Sequence, residues 1–130
     1  MTNHDLQNLI ELAFSTAERA YTPYSNYKVG ATLRTPDGTV FSGCNVENAA
    51  YPACICAERT ALVKAVSEGH QQFDVIVVAT RNGGSPCGMC RQMLYEFSPT
   101  MRVVCVDEQR NIVIDSTLDK LLPHGFNSLG

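Results

Sequence analysis

The sequence predicts an α/β fold, a three-layer α/β/α arrangement in which a mixed sheet carries helices on both faces. Three observations lead there. Pro36-Asp37-Gly38 is a strong turn signal between two strand-like segments. Val75–Ala79 reads VIVVA, an unbroken apolar run suited to a strand buried on both faces. Apolar residues at helical spacing recur before, between and after these strands.

The elements follow in order. Leu6, Leu9, Ile10, Ala13, Phe14, Ala17, Ala20 and Tyr21 keep a helical period and predict an amphipathic first helix ended by Pro23. Residues 29–35 and Val40–Cys44 predict the two arms of a β-hairpin around the Pro-Asp-Gly turn. Ala57, Ala61, Leu62, Ala65 and Val66 predict a second helix, with Gly69 as its stop. Gly83-Gly84 forms a loop after the VIVVA strand, and residues 87–97 predict a third helix opened by Pro86. Residues 103–106 form another buried strand, 112–114 a short last strand, and 118–122 a short final helix. No repeat, linker or low-complexity stretch divides the chain, so one domain is expected over residues 1–130.

Composition narrows the function. Hydrophobic residues make up 45% and charged residues 18% of the chain, enough apolar material for a true core. Ten basic against 13 acidic residues leave a net charge of −3, which argues against a polyanion such as nucleic acid as partner. No apolar run approaches the roughly 20 residues needed to cross a bilayer. The start, MTNHDLQNLI, lacks the basic and apolar regions of a signal peptide, so a cytoplasmic location is expected. In that setting the six cysteines read as reduced thiols or metal ligands rather than disulfides.

Three thiols stand out: Cys56, and the pair Cys87 and Cys90 in Pro86-Cys87-Gly88-Met89-Cys90. A Cys-x-x-Cys pair at a helix start points two sulfurs at one ion, and helix N-termini stabilise thiolates. Three protein ligands leave zinc one open position, the mark of a catalytic site. Spacing alone leaves two alternatives open: a redox pair, or a structural four-cysteine site that includes Cys54. Cys54 lies only two residues before Cys56, an unusual spacing for two ligands of one ion, and is expected as a small buried side chain. Cys44 and Cys105 sit in strand-like runs and are expected in the core. Glu58, two residues after Cys56, separates the alternatives. Alone it reads as an ordinary acidic residue of a first helical turn; beside Cys56 and upstream of Pro-Cys-x-x-Cys it lies where a carboxylate can lean over a metal without binding it, and a closed four-ligand site has no use for it.

A Cys-x-Glu segment followed by Pro-Cys-x-x-Cys is an established signature of zinc deaminases. The chain resembles the cytidine deaminase family, in its small homotetrameric zinc-dependent type. The resemblance is carried by TPYSNYKVGA at 22–31, GCNVENAAYPACICAERTA at 43–61 and SPCGMCRQMLYEF at 85–97. It implies the family's mixed five-stranded sheet, and one zinc ion per subunit on Cys56, Cys87 and Cys90. It further implies that Glu58 shuttles protons and that the Ala57 amide holds the base carbonyl. The main chain near Ser85 would seat the base and the leaving amine. Asn45 and Glu47 would read the ribose 3′-hydroxyl. Ala49, Tyr51 and Phe126 would reach a neighbouring subunit's site. Arg59, beside Glu58, would donate to thiolate sulfur and draw charge off the metal. The implied reaction is hydrolysis of cytidine and 2′-deoxycytidine, with water as co-substrate and neither nucleic acid nor membrane as partner. The alternatives are a deaminase of a related nucleoside-like compound and a non-catalytic zinc-binding module. Two departures from the family pattern stand out. Tyr27 occupies the place of the usual phenylalanine against the pyrimidine. Asn127-Ser128 follows Phe126 where the family commonly has Gly-Pro.

Overall fold

A computed structural model describes residues 1–127; Ser128 lies outside the described residues. The order of elements is α1 (Asn3–Ala17), β1 (Gly30–Arg34), β2 (Val40–Cys44), α2 (Ala57–Ser67), β3 (Val75–Ala79), α3 (Gly88–Phe97), β4 (Arg102–Val106), β5 (Ile112–Thr117) and α4 (Leu118–Leu121). A single 3-10 turn, Tyr51–Ala53, precedes α2.

The strands form one five-stranded sheet in the order β2-β1-β3-β4-β5. β1 pairs antiparallel with both β2 and β3, so β2 and β3 point the same way. β3 and β4 are parallel, and β5 returns antiparallel. The period-two alternation of β3 assigns its side chains to two cores. Val75, Val77 and Ala79 join Leu6, Leu9, Ile10 and Ala13 of α1 on one face. Ile76 and Val78 join Ala61, Leu62 and Leu94 under α2 and α3 on the other. Each large apolar side chain taken fully out of water contributes about 1.5–3 kcal/mol, and every residue of β3 is buried. The expected three-layer arrangement is therefore the observed one.

Several boundaries moved. α1 ends at Ala17 rather than running on to Tyr21, although no proline or glycine stands there. The Tyr21 amide instead donates to Asn45 O at 3.0 Å, and Tyr21 O accepts from Glu47 N at 2.9 Å. This bridge to the segment after β2 draws the chain out of its helical path before Pro23 is reached. β5 continues past Ile114 through Asp115, Ser116 and Thr117, because these polar residues find partners in Val104, Val103 and Arg102. Cys105 is fully buried as expected, but Cys44 and Cys54 are half-buried and not core residues. Cys44 is the last residue of β2, and Cys54 follows the 3-10 turn just before the start of α2.

Candidate metal centre and active site

β2 and β3 run in the same direction, so the segments leaving their C-terminal ends emerge at one edge of the sheet. Each leads into a helix, and the two helix N-termini converge there. Cys56 is the N-cap residue of α2 and Cys87 that of α3. Cys90 stands in the first turn of α3, and its amide donates to Cys87 Sγ at 3.4 Å. The three sulfurs lie within 4.8 Å of one another, with Cys56–Cys87 at 3.8 Å and Cys87–Cys90 at 3.3 Å. Tetrahedral zinc with bonds of about 2.3 Å sets its sulfurs about 3.8 Å apart. The donor set and its spacing therefore fit zinc. Cys54 does not complete a closed four-cysteine site. Its sulfur is turned to the backbone of Asn48, 3.3 Å from N and 3.6 Å from O. Among the described residues the cluster has three members, so a zinc ion held there would have one position left for a ligand from outside the group.

The local electrostatics suit anionic ligands beside an acid. A hydrogen bond from Cys90 and, against the opposing effect of burial, those from Arg59 and Cys87 lower the Cys56 thiol to about 5. The same Cys56–Cys90 bond raises its partner Cys90. Arg59 Nη2 is 3.7 Å from Cys56 Sγ and donates to Cys54 O at 3.1 Å. Glu58 is only 5% exposed. Burial, with the nearby Cys56 adding to it, pushes its carboxyl up to about 7, where it can both take and give a proton at neutral pH.

A cavity of about 230 Å³ opens over these groups. Tyr27, Asn45, Ala57, Glu58 and Ser85 line it together with Cys56 and Cys87. Of the residues expected at the site, the fold brings these together around the cavity, with Cys90 and Arg59 beside the sulfurs. Asn45 is committed on both sides of its amide: Oδ1 accepts from Val29 N at 2.9 Å and Nδ2 donates to Tyr27 O at 2.8 Å. Glu47 lies in an adjoining cleft with Asn45, Cys56 and Arg59. It accepts from Tyr24 N at 3.0 Å, Ser25 N at 3.1 Å and the Ser25 hydroxyl, and that last bond leads in lowering its pKa. Tyr51 lines the adjoining cleft beside Glu47 rather than the cavity, and Ala49 and Phe126 line neither. Tyr51 is 72% and Phe126 73% exposed. A separate cleft of about 280 Å³, between Phe14, Lys28, Arg81 and Glu108, contains none of the three thiols and not Glu58, so the chemistry belongs to the smaller cavity.

Residues 3–107 match the family model for the cytidine and deoxycytidylate deaminase zinc-binding region. The chain belongs to the cytidine and deoxycytidylate deaminase family. A cytidine deaminase of Sporosarcina psychrophila is 42% identical over 125 residues, covering 95% of this chain and 92% of the relative. A probable cytidine deaminase of Dictyostelium discoideum is 45% identical over 130 residues, covering 98% and 87%. The crystal structure of a cytidine deaminase from Burkholderia pseudomallei superposes with a TM-score of 0.89 at 47% identity, covering 97% of this chain and all of that one.

Within this deaminase-family site, sequence reasoning missed four cavity residues: Val29, Val78, Thr80 and Gly84. Thr80 carried a readable signal, a polar residue directly after a wholly apolar strand. Its side chain is buried and its Oγ1 accepts from Gly83 N at 2.7 Å and Gly84 N at 3.1 Å, which shapes the loop before Cys87.

Proposed function

We propose that this protein is a hydrolytic cytidine deaminase, which converts cytidine and 2′-deoxycytidine with water to uridine and 2′-deoxyuridine and releases ammonia. The strongest support is a buried Glu58, tuned near neutrality, on the same helix start as one of three convergent thiols. Zinc held by Cys56, Cys87 and Cys90 would supply the Lewis acidity that makes water nucleophilic near neutral pH.

The residues divide the remaining work. Glu58 takes one proton from the attacking water and passes it to N3 of the base, which makes C4 electrophilic, then carries the second from the hydroxyl added at C4 to the departing amine, so that ammonia leaves and C4 becomes a carbonyl; such general acid–base work contributes typically ~10²–10⁴-fold. The Ala57 amide, at the start of α2, holds the base carbonyl, and Ser85 flanks the leaving amine. Tyr27 packs against the pyrimidine. Asn45 and Glu47 read the ribose; their bonds to 24–29 hold both side chains still, which favours recognition of a fixed hydroxyl. Arg59 draws electron density from Cys56 and offsets the excess negative charge of three thiolates around one divalent ion.

In this reading the whole chain, 1–130, acts as one domain in cytoplasmic pyrimidine salvage, as a homotetramer. The outward exposure of Tyr51 and Phe126 supports their reaching a neighbour's cavity together with Ala49. Mass measurement in solution tests the assembly. The reading as a whole is tested by incubating the protein with cytidine and deoxycytidine, with and without a zinc chelator, and following loss of the cytidine absorbance band. Glu58→Gln is expected to keep zinc and fold while turnover falls at least ~100-fold. Substantial activity in that variant would remove Glu58 from its role.

A further inference from the structure

One connection across the cavity runs through a residue that does not line it. Tyr27 Oη donates to Asn82 Oδ1 at 2.5 Å, and the Thr80 hydroxyl donates to the same oxygen at 3.4 Å. Thr80 Oγ1 in turn accepts the amides of Gly83 and Gly84. Tyr27, Thr80 and Gly84 all face the cavity; Asn82 does not. The Asn82 backbone is itself anchored by an isolated bridge to Asp107, just beyond the paired ends of β3 and β4. A Cβ built on Gly84 would stand 3.5 Å from Asn82 Oδ1 and 3.7 Å from Tyr27 Oη, so carboxamide and phenol already pack at contact distance on this loop. Asn82 thus ties the 24–29 segment, which carries Tyr27, to the 80–86 loop, which delivers Cys87.

We propose that Asn82 is a positioning residue: through the Tyr27 hydroxyl it locks the aromatic wall of the cavity to the loop before Cys87, and so sets how firmly the pyrimidine is gripped. Phenylalanine, the usual occupant of position 27, offers Asn82 no donor, so this brace distinguishes this chain from the common family pattern. The inference rests on the cytidine deaminase reading for the identity of the ligand. The Arg81 guanidinium lies 5.3 Å from the Tyr27 ring centroid, a contact that a phenyl ring keeps. Tyr27→Phe therefore removes the hydroxyl and little else.

The test is a double-mutant cycle of Tyr27→Phe and Asn82→Ala in the zinc-loaded protein. It reads kcat/KM for cytidine, uridine affinity by calorimetry, zinc stoichiometry and Tm. One exposed hydrogen bond is worth a few-fold, so each single variant should lose about three- to tenfold in both kcat/KM and uridine affinity. The double variant should lose no more than the worse single, because both substitutions cut the same link. Zinc content should stay at the parental value and Tm should fall by no more than about 5 °C, the cost of one hydrogen bond, which separates positioning from loss of the fold or of the metal. Single variants within about twofold of the parent, or penalties that multiply in the double, overturn the brace. So does a loss that follows zinc content or comes with a larger fall in Tm. A parent protein that holds zinc but leaves cytidine untouched would instead overturn the functional reading.

Discussion

Gly43→Ala adds one methyl group at the contact between β2 and α2, and the structure gives its size. A Cβ at Gly43 would lie 2.5 Å from Ala61 N and 2.9 Å from both Ala57 O and Thr60 Cβ, where ordinary contact begins at 3.4 Å. The atoms it meets are mostly helix backbone, which has no rotamer to change. The first turns of α2 must therefore retreat by about 0.9 Å, the difference between 3.4 and 2.5 Å. Overpacking of this kind costs about 1–3 kcal/mol. At about 2.1 cal/mol/K per residue, 130 residues give an unfolding entropy near 0.27 kcal/mol/K, so Tm should fall by about 4–11 °C. The functional cost is larger. Cys56 and Glu58 travel with α2, whereas Cys87 and Cys90 stay with α3. Metal bonds tolerate only about ±0.2 Å, and a misplacement near 1 Å can cost about 10²-fold in rate. Thermal unfolding, zinc analysis and cytidine turnover on one preparation measure all three effects. Gly30→Ala is the control. Its Cβ meets Ala13 O at 1.9 Å, a worse clash, but against α1 on the opposite face of the sheet. It should cost at least as much stability while the folded fraction keeps far more of its zinc and rate. A Gly43→Ala protein with parental Tm and kcat/KM would overturn this account, and so would equal zinc loss in the two variants.

Other outcomes are equally direct. Cys87→Ala should leave the purified protein without stoichiometric zinc by elemental analysis, since two remaining thiols do not make the closed grip of three. Free cytosine should be turned over far more slowly than cytidine, because Asn45 and Glu47 have no ribose to meet; comparable kcat/KM for the two would remove them from substrate recognition. Asp37 gives a pH signature. The hydrogen bond from the Thr35 hydroxyl, then those from Thr39, lower its carboxyl from 3.8 to about 2. A carboxyl lowered on folding stabilises above its unfolded value, and that contribution is lost as pH falls from 3.8 towards about 2. Asp37→Asn should thus be less stable than the parent at pH 5, with the gap between denaturation midpoints narrowing at pH 3; a gap that widens on acidification would contradict the hydrogen-bonded turn.

Strands and helices were legible wherever a local period decided them. Val75–Ala79 has no polar face, so it had to lie between two layers, and it does. The Cys87–Cys90 pair was legible because three residues at a helix start share one side. Boundaries failed where distant partners intervened: the end of α1 is set by the bridge from Tyr21 to the segment after β2, and the length of β5 by its pairing with β4. Asn82 escaped notice because a single polar residue in a loop carries no period, whereas Thr80 is marked by its place directly after an apolar strand, but the glycine amides that it accepts are settled only by the folded loop.

Residue identity and local spacing were enough to name the atoms available for the chemistry: three thiols and a carboxylate at spacings that admit an open zinc site, on strands and helices whose apolar periods are unambiguous. It took packing in three dimensions to bring Cys56 and Cys87, 31 positions apart, to 3.8 Å, to turn Cys54 away to Asn48, and to bury Glu58 enough that it titrates near 7. The difference is one of range. Backbone geometry correlates residues three or four apart, whereas the approach of two helix starts and the desolvation between them depend on the order and direction of β2, β1 and β3 in the sheet.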